Sequence, residues 1–214
     1  VSCQQGPCLS NAPVSSMEKE KKPKTAQAIS IRIALPALLT IVLFVTATFI
    51  IILPSLKNNL LDKKREMLRE LNTIVWDTVA FYEKQSREGA LSREQAQATV
   101  LSIINTLRYG PTNKDYFWVN DMNGLIVVHP YRPDLHGEIV PDVRFPKGKN
   151  LLEEFVKVVQ TQGAGYVDYT FQWQDDPEKI VPKLSYVRGF KPWGWVIGTG
   201  MYIDDVNVEI GLIA

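Results

Sequence analysis

Side chains that could bind a small ligand concentrate in the C-terminal half of the chain, in segments that alternate like β-strands. They are aromatic or hydrogen-bonding residues: Tyr116, Trp118, His129, Tyr166, Tyr169, Lys183, Tyr186, Trp193 and Trp195. Aromatic walls with a few polar tips are typical of small-molecule pockets. The core of a thick sheet also contains such walls, so each residue has a packing interpretation beside the functional one.

Six of these residues form our candidate ligand site. They are Tyr116, Trp118, His129, Tyr169, Lys183 and Tyr186. Lys183, His129 and Tyr186 can donate hydrogen bonds, which a carboxylate ligand requires. Side chains alternate along a regular strand, so Lys183 and Tyr186 fall on opposite faces unless a bulge intervenes. Arg132 and Arg188 are alternative cations, and a hydrogen bond to backbone at a strand end is the alternative role for His129.

Catalytic signatures are scarce in this sequence. It has two histidines and no G-x-S-x-G, P-loop or H-E-x-x-H motif. Cys3 and Cys8 both precede the apolar segment described below, so the globular part has no thiolate metal site. We therefore predict that the chain is not an enzyme and holds no cofactor or metal. The formal net charge is +1, with basic and acidic residues interspersed, and this argues against a nucleic-acid partner.

An uncharged apolar segment covers residues 33–53, where 14 of the 21 positions are Ile, Leu, Val or Phe. At about 1.5 Å per residue this length reaches the roughly 30 Å of a bilayer core, which predicts a transmembrane helix with membrane lipid as its partner. A core helix is rarely apolar on every face over six turns. A cleaved signal peptide is the stronger rival, but the segment is too long and no A-x-A site follows it.

The segments flanking this helix do not determine its orientation, because five basic residues lie on either side of it. Residues 1–32 form the N-terminal segment, and we expect residues 1–16 to be an upstream extension. Orientation must therefore come from the identity of the globular domain, to which we assign residues 55–205.

Two helices are expected to open that domain. Leu60, Met67, Ile74 and Phe81 recur every seven residues and predict a long amphipathic helix over residues 55–88. This helix can pack on its own domain, and the same stripe can form a homodimer. Ser92 and the glutamine three residues later predict a capping box that begins a second helix.

A sheet is expected to follow, because the period changes to that of strands. Residues 115–120 and 125–129 flank an Asn-Gly turn and predict a hairpin, followed by a loop over residues 130–149. A helix over residues 151–162 and strands over 165–173, 183–190 and 195–203 complete the domain. This order contains no βα alternation, so we predict an α+β fold with a five-stranded antiparallel sheet.

Several runs resemble one known family. They are DYFWVND at 115–121, GYVDY at 165–169, PKLSYV at 182–187 and PWGWVIGTGMYIDD at 192–205, with Gly124, His129-Pro130, Pro133, Leu135 and Gly137 between them. This pattern is similar to the single Cache domains of the second type, which occur in bacterial chemoreceptors and sensor histidine kinases. The resemblance covers about residues 55–205.

The resemblance implies a PAS-like sheet, a long N-terminal helix continuous with the transmembrane helix, and a domain outside the cytoplasm. It places the N-terminus in the cytoplasm, the anchor in the bacterial inner membrane and the sensory domain in the periplasm or outside the cell. It implies a sensor of a small organic acid such as a short monocarboxylate, with residues 206–214 starting a second membrane-directed segment. Alternatives are a structural dimerisation domain without ligand and a membrane-anchored hydrolase. An imidazolium at His129 would make affinity weaken between about pH 6 and pH 8.

Overall fold

A computed structural model describes residues 24–138 and 151–203 of the chain, with side chains from residue 34 onward. Residues 1–23, 139–150 and 204–214, which include most of the predicted loop, lie outside this description. The chain divides into two compact units, Val1–Ile51 and Ile52–Ala214. Our predictions for residues 1–16 and for a second membrane-directed segment therefore fall outside the described residues.

The first unit contains helix α1, Lys24–Ala47, and all but the last residue of the π-helical turn Thr48–Ile52. Its large apolar side chains are exposed, with Phe44 at 69% and Ile50 at 68%. Within the described part of the chain, one helical stretch, Ala34–Arg87, contains a window long and apolar enough to cross a membrane. The length and composition of this helical stretch thus agree with the predicted transmembrane helix.

Helix α2, Leu53–Arg87, and helix α3, Arg93–Thr106, open the second unit. Helix α2 buries Leu68 and Val75, which neighbour the predicted heptad stripe, so the helix packs on its own domain. The capping box forms as expected: the Ser92 hydroxyl accepts from the backbone N–H of Gln95 at 3.1 Å, and the Gln95 side chain accepts from the N–H of Ser92 at 2.9 Å.

The sheet has six antiparallel strands, one more than the sequence predicted. They are β1 (Arg108–Tyr109), β2 (Asp115–Asp121), β3 (Ile126–Val128), β4 (Ala164–Trp173), β5 (Asp176–Phe190) and β6 (Trp195–Tyr202). The order is β1-β2-β6-β5-β4, and β3 also pairs with β2. Helix α4, Leu151–Gln162, precedes β4. Strand β6, the last in the described chain, therefore lies between β2 and β5 in the middle of the sheet.

The β2–β3 hairpin forms around the predicted Asn-Gly turn. The Asp121 carboxylate accepts from the backbone N–H groups of Asn123 and Leu125, both at 2.8 Å. Gly124 has a φ of +84°, which only glycine adopts without strain. These contacts determine where β3 begins and hence where His129, the residue after it, is placed.

The two faces of the sheet carry different layers. Helices α2 and α3 cover one face, where Val75, Val100 and Ile197 share a core cluster. Helix α4 covers the other face, where Phe155 packs with Trp118. Period-2 alternation assigns the faces: Tyr116 and Trp118 point toward α4, whereas Phe117 and Val119 point toward α2 and α3.

The indole of Trp118 lies directly against the backbone of Gly198 on β6. A Cβ atom at Gly198 would overlap the indole ring, so the close approach requires glycine. Trp118 therefore lies close to the sheet. The space above its ring is left for helix α4 and for the side chains that α4 covers.

We expect Asn72→Ala to destabilise the second unit. Asn72 is fully buried on α2, and its side-chain amide donates to the Ile197 carbonyl of β6 at 2.9 Å. Losing a buried hydrogen bond costs about 1–3 kcal/mol. Asn59→Ala is the matched control, because Asn59 is exposed on the same helix and should change stability by about 0.5 kcal/mol or less. Urea denaturation of the chain in mild detergent measures both, and equal losses would contradict the prediction.

Candidate functional site

A small cavity lies between the sheet and α4. Its lining residues come from β2, β3, β4, α4 and the loop after β3: Tyr116, Trp118, Ile126, His129, Leu135, Leu151, Leu152, Phe155, Tyr169 and Phe171. The volume is about 20 Å³, which holds about one water molecule. Even a two-carbon acid needs more room than this, so ligand binding at this place would require the cavity to widen.

Lys183 lies directly behind one wall of this cavity. Its side chain is buried in β5, and its ammonium nitrogen donates to the Tyr116 hydroxyl at 2.9 Å. The same nitrogen lies 5.4 Å from the centre of the Trp118 ring and 4.9 Å from that of Tyr202. Aromatic faces attract a cation electrostatically, so these rings partly replace the water that the ammonium has lost.

Burial shifts the protonation equilibrium of Lys183. Removal from water disfavours the ammonium and lowers the Lys183 pKa to about 7, although the nearby Asp115 carboxylate acts in the opposite direction. The lysine is therefore in the range where a neighbouring anion decides whether it stays protonated. A bound carboxylate would restore the charged form, because an opposite charge at close range raises a lysine pKa.

Tyr116, Trp118 and Tyr169 lie in the lining of this cavity. The Trp118 and Tyr169 rings each lie 5.4 Å from the ring of Phe155 on α4. The Tyr169 hydroxyl shares a hydrogen bond of 3.0 Å with Ser185 on β5. Burial raises the pKa of both tyrosines, so both phenols are neutral. Neutral phenols can donate to an anion, which an ionised phenolate cannot.

His129 is buried at the edge of the cavity, directly after β3. Its ring centre lies 4.9 Å from that of Tyr116, and within the described part of the chain no group hydrogen-bonds its Nδ1 atom. Its backbone N–H donates to Nε2 of His136 at 2.8 Å. Burial, and next the positive charge of Lys183, hold the His129 pKa well below its usual value. The imidazole is neutral here, so the predicted loss of affinity between pH 6 and pH 8 does not follow from it.

Tyr186 and Arg188 lie on the opposite face of the sheet from Lys183. The Tyr186 ring packs 4.9 Å from that of Tyr166 and belongs to the cluster around Leu68. The Arg188 guanidinium stacks 4.2 Å from the Trp76 ring of α2. Strand β5 runs regularly through these residues, so the bulge that would bring Tyr186 beside Lys183 does not occur. Both residues are thus separated from the cavity.

Arg132, the other alternative cation, lies near His129 but is already paired. Its guanidinium donates to the Asp134 carboxylate at 2.8 Å, and about a third of its side chain is exposed. Its backbone N–H donates to the His129 carbonyl at 3.2 Å. Lys183 is therefore the buried cation of the six-residue candidate set, and Arg132 is a partly solvated neighbour.

Several cavity residues were not identified from the sequence. Phe171 follows Tyr169 by two positions on β4, so alternation could have placed it on the same face. Phe155 and Leu152 belong to the predicted helix over residues 151–162, but the sequence pattern did not indicate that this helix covers the ligand site. Only the packing of α4 on the sheet brings these side chains to the cavity.

The arrangement offers a buried cation, neutral phenols and an apolar aromatic wall. This combination suits an anion with a short apolar tail, because charge-assisted hydrogen bonds hold the anion and the rings contact the tail. The described residues contain no group of three or more His, Cys, Asp or Glu side chains that could hold a metal ion.

Comparison with known proteins relates this chain to a receptor family. The family "Single Cache domain 2" matches residues 60–213. The chain is 35% identical over 160 residues to the methyl-accepting chemotaxis protein McpP of Pseudomonas putida, covering 75% of this chain and 29% of McpP. It is 31% identical over 154 residues to the sensor histidine kinase MctS of Rhizobium johnstonii, covering 72% of this chain and 32% of MctS. The chain thus spans less than a third of either relative.

Two solved structures share the fold of the second unit. The periplasmic sensor domain of a chemotaxis protein is 35% identical, with a TM-score of 0.63, and covers 67% of this chain and 97% of its own. A Cache chemosensory domain described in terms of carboxylic acid recognition is 34% identical, also with a TM-score of 0.63, and covers 68% of this chain and 97% of its own. These likenesses confirm the predicted long helix and antiparallel PAS-like sheet.

We expect the neutral state of His129 to appear in the pH dependence of stability. The unfolded chain takes up a proton at His129 near pH 6.5, whereas the folded chain does not, so stability is complete above that pH and is lost below it. The loss should be about 1.4 kcal/mol per pH unit. Urea denaturation at pH 7.5 and pH 5.5 tests this. His129→Gln should lose about 1 kcal/mol less than the wild type on acidification, and equal losses would refute the neutral assignment.

Proposed function

This chain belongs to the Single Cache domain 2 family, and from that premise we propose that residues 55–205 are the extracytoplasmic ligand-binding domain of a bacterial transmembrane receptor. The family provides the sensory domains of chemotaxis receptors and sensor histidine kinases. We propose a small organic acid, such as a short monocarboxylate, as the ligand. Signalling by the complete receptor, through either a chemotaxis or a kinase output, is part of this proposal.

The buried ammonium of Lys183 is the main observation that supports a carboxylate as the ligand. It lies behind a wall of the cavity, in contact with the Tyr116 hydroxyl at 2.9 Å. A buried cation whose lost hydration is only partly compensated is costly, and a carboxylate is the group that removes this cost most directly. The relative described in terms of carboxylic acid recognition supports the same class.

The binding site in this proposal comprises Lys183, Tyr116, Trp118, Tyr169 and His129. Tyr186 is left out, because it packs on the α2 side of the sheet. The phenols and the ammonium would hold the carboxylate, and the aromatic rings would contact a short tail. The volume of about 20 Å³ favours the smallest acids, because each added carbon requires the cavity to widen further.

A thermal-shift screen of the chain against formate, acetate, propionate and lactate tests the ligand class. Ligand at 100 times its dissociation constant stabilises by about 2.7 kcal/mol. Uncharged amides of the same size are the control, because they require the same widening of the cavity but give Lys183 no anion. Stabilisation by the acids alone is expected, and no stabilisation by any of them would exclude the proposed ligands.

One observation favours the alternative of a structural dimerisation domain without ligand, namely that the cavity is nearly filled. A domain that only dimerises needs no pocket, but it also has no use for a buried lysine among aromatic rings, which a methionine would replace at lower cost. A hydrolase requires a nucleophile beside its base. Among the described residues, the rings that contact His129 belong to Tyr116 and Phe171, and the Ser185 hydroxyl bonds to Tyr169 instead.

The proposed topology places the N-terminus in the cytoplasm, α1 in the inner membrane among lipids, and the second unit in the periplasm or outside the cell. The apolar helix supports the anchor, and the family supports the side of the membrane. Alkaline phosphatase fused after residue 203 should be active. If only a reporter that functions in the cytoplasm is active at this position, the proposed orientation is wrong.

We also propose a homodimer through α2 over residues 55–88. Ile74 is 63% exposed and Phe81 56% exposed, seven residues apart on one face of the helix. The test uses Ile74→Cys in a chain whose Cys3 and Cys8 are replaced by serine. In a parallel dimer, the two copies of this new cysteine should form a disulfide in isolated membranes. Thr73→Cys, on the neighbouring sheet-facing side, is the matched control. Equal crosslinking of both variants would contradict an ordered interface.

We expect Lys183→Met to remove most binding of acetate while the fold is retained. Methionine keeps an apolar stem that can lie against the aromatic rings. Removing one partner of a buried charged pair costs about 2–5 kcal/mol, so affinity should fall by roughly 30-fold to more than 1,000-fold. Lys179→Met is the matched control, since Lys179 is an exposed lysine on the same strand. Calorimetry measures both, and an affinity of Lys183→Met within about threefold of wild type would remove Lys183 from the site.

The affinity measured in the same titration should depend on pH, because it depends on the protonation of Lys183. Its pKa is about 7 in the folded domain, and only the ammonium form attracts the carboxylate. Affinity should therefore be constant below about pH 7 and fall by up to tenfold per pH unit above it. Lys179→Met should keep this slope, whereas the residual binding of Lys183→Met should lack it.

A further inference from the structure

Arg188, which is separated from the cavity beside α4, lines a second and larger hollow on the α2 side of the sheet. This Arg188 hollow has a volume of about 550 Å³ and lies between α2, the turn after α4 and the end of β5. Trp76, Ala80 and Glu83 of α2 form one wall, and Arg188 and Lys191 come from the end of β5 and the turn after it. Small-molecule sites typically have volumes of about 300–1,000 Å³, so the hollow is large enough for a ligand.

Hydrogen bonds and ring contacts fix the shape of the Arg188 hollow. The indole N–H of Trp76 donates to the Gly189 carbonyl at 3.0 Å, and the indole ring meets the ring of Phe190 edge to face at 5.3 Å. The backbone N–H of Gly189 donates to the Gly163 carbonyl at 3.0 Å, which connects the turn after α4 to β5. The three elements that form the walls are therefore bonded to one another. Unlike the cavity beside α4, the hollow can admit a small molecule without widening.

The guanidinium of Arg188 is oriented by stacking. It lies 4.2 Å from the centre of the Trp76 ring and donates to the Thr73 hydroxyl at 3.3 Å. Among residues 34–138 and 151–203, no carboxylate forms an ion pair with it. A guanidinium carries five N–H donors in one plane, and a carboxylate can accept from two of them in parallel. Because stacking fixes the plane of the group, Arg188 is prepared for such a bidentate contact.

The other lining groups define the rest of the ligand. Arg188 and Lys191 are cations and Glu83 is an anion, so two positive charges and one negative charge leave the lining with a net charge of +1. One negative charge on the ligand matches this balance, whereas a second would be repelled by Glu83. The wall from Trp76 and Ala80 is apolar, and aromatic side chains favour contact with another ring. The lining therefore suits a single carboxylate on an aromatic body.

We propose that the Arg188 hollow is a second ligand site, which binds an aromatic monocarboxylate. The carboxylate pairs with the guanidinium of Arg188, and the ring lies against the apolar wall of α2. The cavity of about 20 Å³ beside α4 is far too small for such an acid, so the two places bind acids of different size. This site goes beyond the proposed function and does not depend on it, because it shares no lining residue with the cavity beside α4.

Calorimetry with sodium phenylacetate tests the ligand class on the 214-residue chain in detergent micelles. Phenylacetate combines one carboxylate with one ring, and phenylacetamide has the same shape without the charge. A dissociation constant of about 1 mM is expected for so small a ligand. Phenylacetamide should bind roughly tenfold more weakly or worse, because it cannot form charge-assisted hydrogen bonds with a guanidinium. No binding of phenylacetate, or an amide affinity within about threefold of it, would overturn the proposal.

Arg188→Gln should weaken the binding of phenylacetate by roughly tenfold or more, because it removes the bidentate contact. Arg69→Gln is the matched control, since Arg69 is an exposed arginine on α2 that does not line the hollow. It should keep the affinity within about twofold of wild type. Lys183→Met should keep it as well, because Lys183 lies on the other face of the sheet. Equal losses in Lys183→Met and Arg188→Gln, or no loss in Arg188→Gln, would overturn the proposal.

Chemical modification of the wild type locates the ligand even if Arg188→Gln does not fold. The reagent 1,2-cyclohexanedione adds to accessible guanidinium groups, and mass spectrometry measures the product at each arginine. Phenylacetate at ten times its dissociation constant leaves about a tenth of the sites free, so modification of Arg188 should slow by about tenfold. Modification of Arg69 should not change. An unchanged rate at Arg188 would overturn the proposal, whereas a failure of acetate to bind the same samples would count against the proposed function alone.

Discussion

The desolvation of one ammonium group is the constraint on which the rest of this site depends. Lys183 is buried on strand β5, where water cannot solvate its charge. The Tyr116 hydroxyl and the rings of Trp118 and Tyr202 surround it, and the Asp115 carboxylate favours its charged form. These contacts compensate part of the loss, but the pKa of about 7 shows that they do not compensate all of it. An anion at the cavity wall would reduce the remaining deficit, and this is the basis of the proposed ligand class.

The antiparallel sheet can position this charge because its two faces are used differently. One face carries α2 and α3 over an apolar core, and the other carries α4 over the aromatic cavity. Alternation sends Lys183 to the cavity face and Tyr186 to the α2 face, so one strand contributes to both layers. Gly198 completes the arrangement, because the absence of a Cβ atom lets Trp118 lie flat beside the lysine. The cation is thus fixed by the period of the strand, without any local distortion.

Local patterns in the sequence predicted the elements, and long-range packing decided the rest. The capping box at Ser92, the Asn123-Gly124 turn and the opposite faces of Lys183 and Tyr186 all follow from residues close in the chain. Strand β1 has only two residues, too few to display a period, and the first part of β5 contains Pro177 and Pro182, which are typical of loops. The neutral state of His129 depends on its burial and on the charge of Lys183 on another strand, and neither can be derived from the residues around it. The contribution of Phe155 to the cavity likewise depends on how α4 docks.

A nearly closed cavity is compatible with a sensor for a thermodynamic reason. A ligand shifts a conformational equilibrium only through the difference in its affinity for the two states. A pocket that was open beforehand would bind an acid without changing the protein, whereas a cavity of about 20 Å³ must rearrange to admit one. Rearrangement reduces affinity, since only the open fraction binds. In the proposed site Lys183 would offset this loss, because folding has already removed its water and has placed its ammonium beside the Tyr116 hydroxyl. In the proposed function, the buried lysine would therefore provide the affinity that drives a change of structure in the closed cavity.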